Sequence, residues 1–454
     1  MTRLPLCWIL LLLSTGSAAA AVNCNPGPGD YVVSPIGENF SVAFGGFAAT
    51  QSTPAICNGL TVSTGLSAGQ IGVFSADYRG GFDDPDGVGR LTVTHNGTTS
   101  SSDDIQDPLS PGEFYYSHLI GTDGSGNIVS DIELELLQSS GGPSDEVELG
   151  ALDYNLLATA NTDDLQASVD ELAADHTALV THLSATSDLL SGAGQKLEQD
   201  DGVSALVGVG SFTFGATGRK ALGNGFTLLG GAAAFDQTAG GAAASGLLFS
   251  GSLRYLPVDD VMVRPYGEIG LISAPIMAVS FTRSYETSNG TVTATGNGWG
   301  SLYGGFIKGG AVFTPDAANE VVLSASLAKD WLVLGDYSET LSGSNLFAAS
   351  AAGQTGGFYV AKVGIDWTTA LAPQTELTLS GAIGRTIAGT PVTANIAFAG
   401  SYTGAPVSET FAEYGARVGY AIDPSQKVGA FIHGSTGDHS GTHVQVGGDF
   451  NVSF

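Results

Sequence analysis

The segment HVQVGGDFNVSF, residues 443–454, decides the fold. Val444, Val446, Phe450, Val452 and Phe454 fall on one side of an extended chain, and Gln445, Gly447, Asp449, Asn451 and Ser453 on the other. Successive side chains of a strand point to opposite faces, so one face here is apolar and the other polar or small. The pattern recurs upstream. Residues 411–422 set Tyr414, Ala416, Val418 and Tyr420 against Glu413, Gly415, Arg417 and Gly419. Residues 427–433 set Val428, Ala430 and Ile432 against Lys427, Gly429 and His433, with Phe431 as an aromatic exception. Tyr359, Ala361, Val363, Ile365 and Trp367 likewise oppose Lys362, Gly364, Asp366 and Thr368. A soluble sandwich also alternates. Two features favour a barrel with lipid outside and water inside: the polar face carries Glu413 with Arg417 and Lys362 with Asp366, and aromatics gather near strand ends. Tyr255, Tyr266, Tyr285, Tyr303, Trp331, Trp367 and Tyr420 are the expected interfacial girdle.

Working outward, residues 203–454 divide into about twelve such segments: 203–215, 225–236, 246–257, 262–274, 277–288, 301–314, 319–336, 356–370, 375–388, 409–422, 426–437 and 443–454. Tight turns at Thr314-Pro315-Asp316, Ala372-Pro373-Gln374 and Asp423-Pro424-Ser425 alternate with long connections at 337–355 and 389–408. That asymmetry is usual for outer-membrane barrels. The rhythm fails in the first half, where Gly223-Asn224-Gly225 and Pro257-Val258-Asp259 imply the opposite parity.

The start of the chain reads as an export signal over residues 1–21: Arg3, the apolar run 4–13, and Ala18 to Ala21 at the cleavage site. In an exported chain the remaining pair, Cys24 and Cys57, is expected to form a disulfide. Gly at 66 residues with only 13% charged residues suits a β-rich protein. A net charge of −29 excludes nucleic acid as a partner.

Residues 22–150 read as a small acidic β-rich domain, a β-sandwich, with strands near 39–44, 72–77, 89–94, 114–119 and 129–137. Asp86-Gly87, Asn96-Gly97 and the run 123–127 mark its turns. Residues 151–202 read as a linker and an amphipathic helix. Leu165, Val169, Leu172, His176, Leu179, Leu183, Thr186 and Leu190 make a four-three stripe, and Asp163, Asp164, Asp170, Glu171, Asp175 and Asp188 make an acidic exposed face. Thr162 or Asp163 caps its start, and Gly192 and Gly194 end it. At about 1.5 Å per residue, 28 residues reach about 42 Å, comparable with a bilayer.

No residue set suggests catalysis. The run Asp83-Asp84-Pro85-Asp86-Gly87 offers oxygens to calcium but lacks the spacing of a calcium loop, so a solvated turn is expected. His95 and His118 have no nucleophile beside them in sequence, and His176 lies on the helix stripe. His433, His439 and His443 cluster near the last hairpin, where exposed turn histidines are the simpler reading. No cofactor and no metal are expected.

The order of parts resembles the β-domain of autotransporters, the type V secretion proteins. Gly215-Ala216-Thr217-Gly218-Arg219, Arg264-Pro265-Tyr266-Gly267-Glu268 and Gly415-Ala416-Arg417-Val418-Gly419-Tyr420 carry local likeness over the last 60% or so of the chain. The resemblance implies a helix inside the barrel, an N-terminal passenger on the cell surface, and Phe454 as the signal read by the barrel-assembly machinery. Most basic residues lie in the barrel region, so an acidic helix in a basic lumen is electrostatically sensible. The expected protein is an outer-membrane, cell-surface, non-enzymatic anchor, monomeric and in contact with outer-membrane lipids, with an unidentified passenger ligand. A passenger of about 130 residues without repeats departs from the long β-helices common in the family. Two alternatives stay open: a porin-like channel with a periplasmic N-terminal domain, and a helix acting as a coiled-coil seam between chains.

Overall fold

A computed structural model describes residues 40–44, 47–102, 105, 112–140, 145–192, 197, 201–210, 212–258 and 261–454. Contacts divide the chain into two compact units. The first runs to Leu165 and takes in residues 285–292 and 396–400; the second holds the rest.

Among its described residues up to Asn161, the first unit contains nine strands: β1 (Phe40–Ala43), β2 (Ala48–Thr50), β3 (Ala55–Ser63), β4 (Gln70–Phe82), β5 (Val88–His95), β6 (Thr98–Ser102), β7 (Glu113–Gly121), β8 (Asn127–Gln138) and β9 (Glu146–Asn161). They form two antiparallel sheets, β1-β9-β4-β7 with β2 beside β9, and β3-β8-β5-β6. Alternation builds the core between them. Ile132, Leu134 and Leu136 of β8 point inward with Leu91 and Val93 of β5, and meet Phe74, Ala76 and Tyr78 of β4 and Leu149, Leu152 and Tyr154 of β9. A sandwich is the expected architecture. Asn96 and Gly97 both take positive φ, 47° and 85°, so this Asn-Gly turns β5 into β6 as a two-residue hairpin. The five strands read from sequence are β1, β4, β5, β7 and β8. The unit extends further than expected: β9 continues through residues 151–161, which read as linker.

The second unit begins within α1 (Thr162–Leu190), at Gln166, and continues through β10 (Gly202–Val209), β11 (Phe212–Gly223), β12 (Phe226–Ala239), β13 (Ala242–Tyr255), β14 (Val263–Thr287), β15 (Gly290–Asp316), β16 (Asn319–Leu334), β17 (Tyr337–Ser338), β18 (Ala349–Ala351), β19 (Gln354–Ala372), β20 (Thr375–Ala388), β21 (Val392–Ile396), β22 (Gly400–Gly404), β23 (Ser408–Asp423), β24 (Gln426–Gly437) and β25 (Gly441–Ser453). Twelve of these strands close an antiparallel ring, β10-β11-β12-β13-β14-β15-β16-β19-β20-β23-β24-β25, with β25 back against β10. At the seam Val203 faces Val452 and Ala205 faces Phe450. β17, β18, β21 and β22 extend from β15 within the long connections, at the end opposite Phe454.

Twelve is the expected number, reached by two errors that cancel. Residues 203–215 are not one strand: Gly210, with φ 125°, follows the end of β10 and separates it from β11. Residues 262–288 are not two: β14 runs straight through Pro275, which sits at a register shift between the pairs Gly246–Met277 and Phe249–Ser273. A bulge is where a strand tolerates proline. With the extra turn at Gly210 the parity of the first half is restored.

The faces fall as read. Tyr359, Val363, Ile365, Trp367, Tyr414, Val418, Val446 and Phe450 are exposed on the outer wall, whereas Glu413, Gln445 and Asp449 are buried inside. Phe431 points inward, as its position requires. Of the expected girdle, Tyr255, Tyr303, Trp331, Trp367 and Tyr420 are exposed. Tyr266 and Tyr285 are not: both are buried, and Tyr266 packs on Val312 and Val322. Tyr266 shares its parity with the inward Arg264 and Glu268. No helix among the described residues is long and apolar enough to cross a membrane; the spanning elements are strands.

Candidate functional site

The lumen holds α1, and the geometry around this helix is the candidate site. Its first turn carries Asp163 and Asp164, and Gly192 with φ 85° follows its end. All eight stripe residues are buried, but so is the opposite side: Ala173, Asp175, Ala178, Thr181, Ser184 and Ala185 are enclosed as well. A two-chain seam would leave that side in water, so the helix is a plug. Its small polar residues bond to the wall. Thr181 Oγ1 donates to Thr386 Oγ1 at 2.8 Å, Thr177 Oγ1 to the Val407 carbonyl at 3.3 Å, and Ser191 Oγ meets Ser250 Oγ at 2.8 Å.

The acidic face is only partly solvated: Asp163 and Glu171 are exposed, Asp164, Asp170 and Asp188 are half-buried and Asp175 is buried. Asp170 accepts from the Ala405 amide at 3.0 Å, Glu171 from the Ser284 amide at 3.4 Å, and Asp175 from the Gly241 amide at 2.7 Å. Among the described residues, Asp188 is the one member of this face that pairs with a cation, Lys362. The expected basic lumen thus accounts for one of these contacts, and backbone donors for the others.

The lumenal ion pairs differ from those expected. Lys362 pairs with Glu413 at 3.3 Å, not with Asp366, and Arg417 with Asp449 at 2.5 Å, not with Glu413. Arg254 pairs with Glu268 at 2.9 Å. Arg254 faces Glu268 directly across the β13–β14 ladder, whereas Lys362 reaches Glu413 across β20 and Arg417 reaches Asp449 across β24. Two strand spacings are about 10 Å, still less than the about 13 Å between residues four apart on one strand, so register selects the partners. Between the second half of α1 and this wall lies a cavity of about 90 Å³, lined by Asp188, Lys308, Lys362, Glu413, Arg417 and His433 among others.

The other half of the lumen is closed by the connection 335–353. Arg283 of β14 is fully buried. Its Nε and Nη2 donate to the two Glu339 oxygens, both at 2.9 Å, Nη1 donates to Ser168 Oγ of α1 at 2.8 Å, and Nη2 also donates to the Phe347 carbonyl at 2.6 Å. Glu339 also accepts from Tyr337 Oη at 2.7 Å and the Ala349 amide at 2.8 Å. One guanidinium therefore ties wall, connection and helix together. Nothing in the sequence pairs Arg283 with Glu339; only the fold brings them together.

The remaining expectations resolve individually. Cys57 is buried on β3 and disulfide-bonded; Cys24 lies outside the described residues. Phe454 ends the chain 76% exposed. Asp84 is a loop staple: it accepts from the amides of Asp86 and Ser140, which hold its carboxyl down to about 2, and from the Ser140 hydroxyl at 2.8 Å. Asp123 accepts from the amides of Ser125 and Asn127, as a turn-forming aspartate does. His95 does gain a hydroxyl partner. Its Nδ1 meets Ser130 Oγ and its Nε2 meets Tyr78 Oη, each at 2.6 Å. Ser130 is fully buried in the core, and burial holds His95 down to about 3 and His118 to about 4. His176 packs edge-on against Phe281. His439 is exposed, whereas His443 points inward beside His182 of the helix.

No protein-family model and no curated protein matches the chain. Among solved structures, the chain is similar to the translocator domain of the autotransporter NalP from Neisseria meningitidis, at 16% identity and TM-score 0.43, covering 63% of this chain and 98% of that one. It is similar to the β-domain of the Bordetella autotransporter BrkA, at 14% identity and TM-score 0.36, covering 56% and 99%. It is also similar to the Ralstonia pickettii toluene transporter TbuX, at 11% identity and TM-score 0.34, covering 57% and 90%. The fold is a closed twelve-strand antiparallel barrel with one helix inside, and it resembles the translocator domain of autotransporters.

Proposed function

We propose that this chain is an autotransporter-like outer-membrane protein whose barrel anchors the N-terminal sandwich and displays it at the cell surface. The observation that carries the reading is the path of α1. Gln166 donates to the Thr403 carbonyl at 3.0 Å at the end of the long connections, while Ser191 and Arg254 meet at the end nearer Phe454. The helix threads the pore in this reading, with its first turns at the end of the long connections and its last turn at the end nearer Phe454. In this reading residues 1–21 are removed on export, Cys24 pairs with Cys57, the barrel-assembly machinery reads Phe454, and the protein is a monomer in outer-membrane lipids without catalytic activity. The porin-like alternative is less favoured because the helix fills the lumen that solute would use.

Protease added to intact cells tests the proposal. It should release peptides from residues 40–161 and leave the barrel in the membrane. If those residues are cut only after the outer membrane is permeabilised, the N-terminal domain is periplasmic and the proposal fails.

A further inference from the structure

We infer that His182 and His443 form a binding site for a borderline divalent transition-metal ion, of the zinc, nickel or copper(II) class, that staples the plug helix to the last barrel strand. His182 lies on α1 and is 2% exposed; His443 points inward from β25. In both, Nε2 is enclosed and has no hydrogen-bond partner. Their ring centroids are 5.2 Å apart with planes at 62°. Two residues along the same inward face of β25, Gln445 is 0% exposed, and neither its Oε1 nor its Nε2 has a partner. Enclosed polar atoms are ordinarily paired, and leaving several unpaired in one stretch of lumen is costly.

A metal would relieve this, and the spacing suits one. A metal–imidazole bond of roughly 2.0–2.1 Å puts the ion about 3.2 Å from each ring centroid. At a tetrahedral angle the centroids then stand about 5.2 Å apart. Neutral imidazole nitrogens are borderline ligands that favour these ions over calcium or magnesium. Among the described residues no third His, Cys, Asp or Glu joins the pair, so the other positions fall to Gln445 Oε1 and water. The site would then be of moderate affinity and open to exchange. It would join α1 to β25 across the lumen, where Lys362 and Asp188 already join α1 to β19.

The test uses the full chain refolded in detergent, with zinc, nickel or copper(II) present during or added after refolding, and equilibrium dialysis as the readout. One ion per chain is expected. Binding should be lost in His182→Gln and in His443→Gln and retained in His439→Gln, with heat-modifiable gel mobility confirming that each variant folds. The unfolding temperature should rise with metal in the parent and stay fixed in the two variants. No stoichiometric uptake, or uptake indifferent to both substitutions, overturns the site and leaves water as the partner of these nitrogens.

Discussion

Substituting Glu339 by Gln should loosen the connection over the lumen without unfolding the barrel. In the parent, Glu339 holds both ends of the Arg283 fork and also receives Tyr337 and the Ala349 amide. Both side chains of the pair are fully enclosed. Gln keeps the shape but removes the charge, so Arg283 loses its carboxylate partner and keeps Ser168 and the Phe347 carbonyl among its acceptors. Breaking a buried pair from one side costs about 3–5 kcal/mol, because the surviving charge stays buried without compensation. At 1.4 kcal/mol per tenfold, amide exchange across residues 339–351 should speed up by about 10²- to 10³-fold or more. Hydrogen exchange on the detergent-solubilised protein reads this directly, and β19 and β20 serve as the unaffected reference. Replacing both partners with apolar residues, Arg283→Met with Glu339→Leu, should recover much of the protection. Exchange in this segment that rises less than tenfold, or a double variant no better than the single, would refute the claim that this pair holds the connection shut.

Lys362→Met should destabilise the barrel by about 3–5 kcal/mol in thermal unfolding, since Asp188 and Glu413 would share the lumen without their common cation. Asp188→Asn in that background should recover part of the loss. Gly404→Ala places a Cβ 2.5 Å from the Val169 carbonyl, a backbone contact that cannot yield, so β22 should shift from α1 at a cost of about 1–3 kcal/mol, read by faster amide exchange at residues 400–405. The sandwich should weaken in acid. His95 is neutral when folded, held to about 3 by burial and then by His118, against 6.5 unfolded; Tyr78, Ser130 and His118 face it. The unfolded chain thus binds more protons below about 6.5. Its contribution is complete above that pH and erodes toward pH 3, by an amount of the order of 4 kcal/mol. Exchange at residues 88–95 and 128–136 should accelerate between pH 7 and 4, and His95→Gln should flatten the dependence.

The parts of this fold legible in the sequence are those set by local period. Alternation names the outer face of β19, β23, β24 and β25 residue by residue, because a strand has only two faces. Partners across the lumen depend on register, which no local pattern supplies. Lys362 therefore reads as the partner of Asp366 on its own strand, when β23, one strand beyond β20, brings Glu413 within 3.3 Å. Arg283 and Glu339 are 56 positions apart in sequence and belong to a wall strand and a connection, so no spacing rule finds them.

The helix is a different case, because there the deciding signal is local. The four-three stripe fits a seam or a plug equally well, and the stripe residues are buried in either. The other face discriminates. A helix with its back in water carries charge there, yet HTALVTHLSATS, residues 176–187, has no Asp, Glu, Lys or Arg over more than three turns. Apart from Val180 and His182, its non-stripe positions are Ala, Thr and Ser, small enough to lie against a wall, and the hydroxyls can donate to it. The charges resume only at Asp188, where the lumen supplies Lys362. Had that stretch carried the alternating charges of a solvated face, enclosing it would have stranded them without water, and the barrel could not have closed around it.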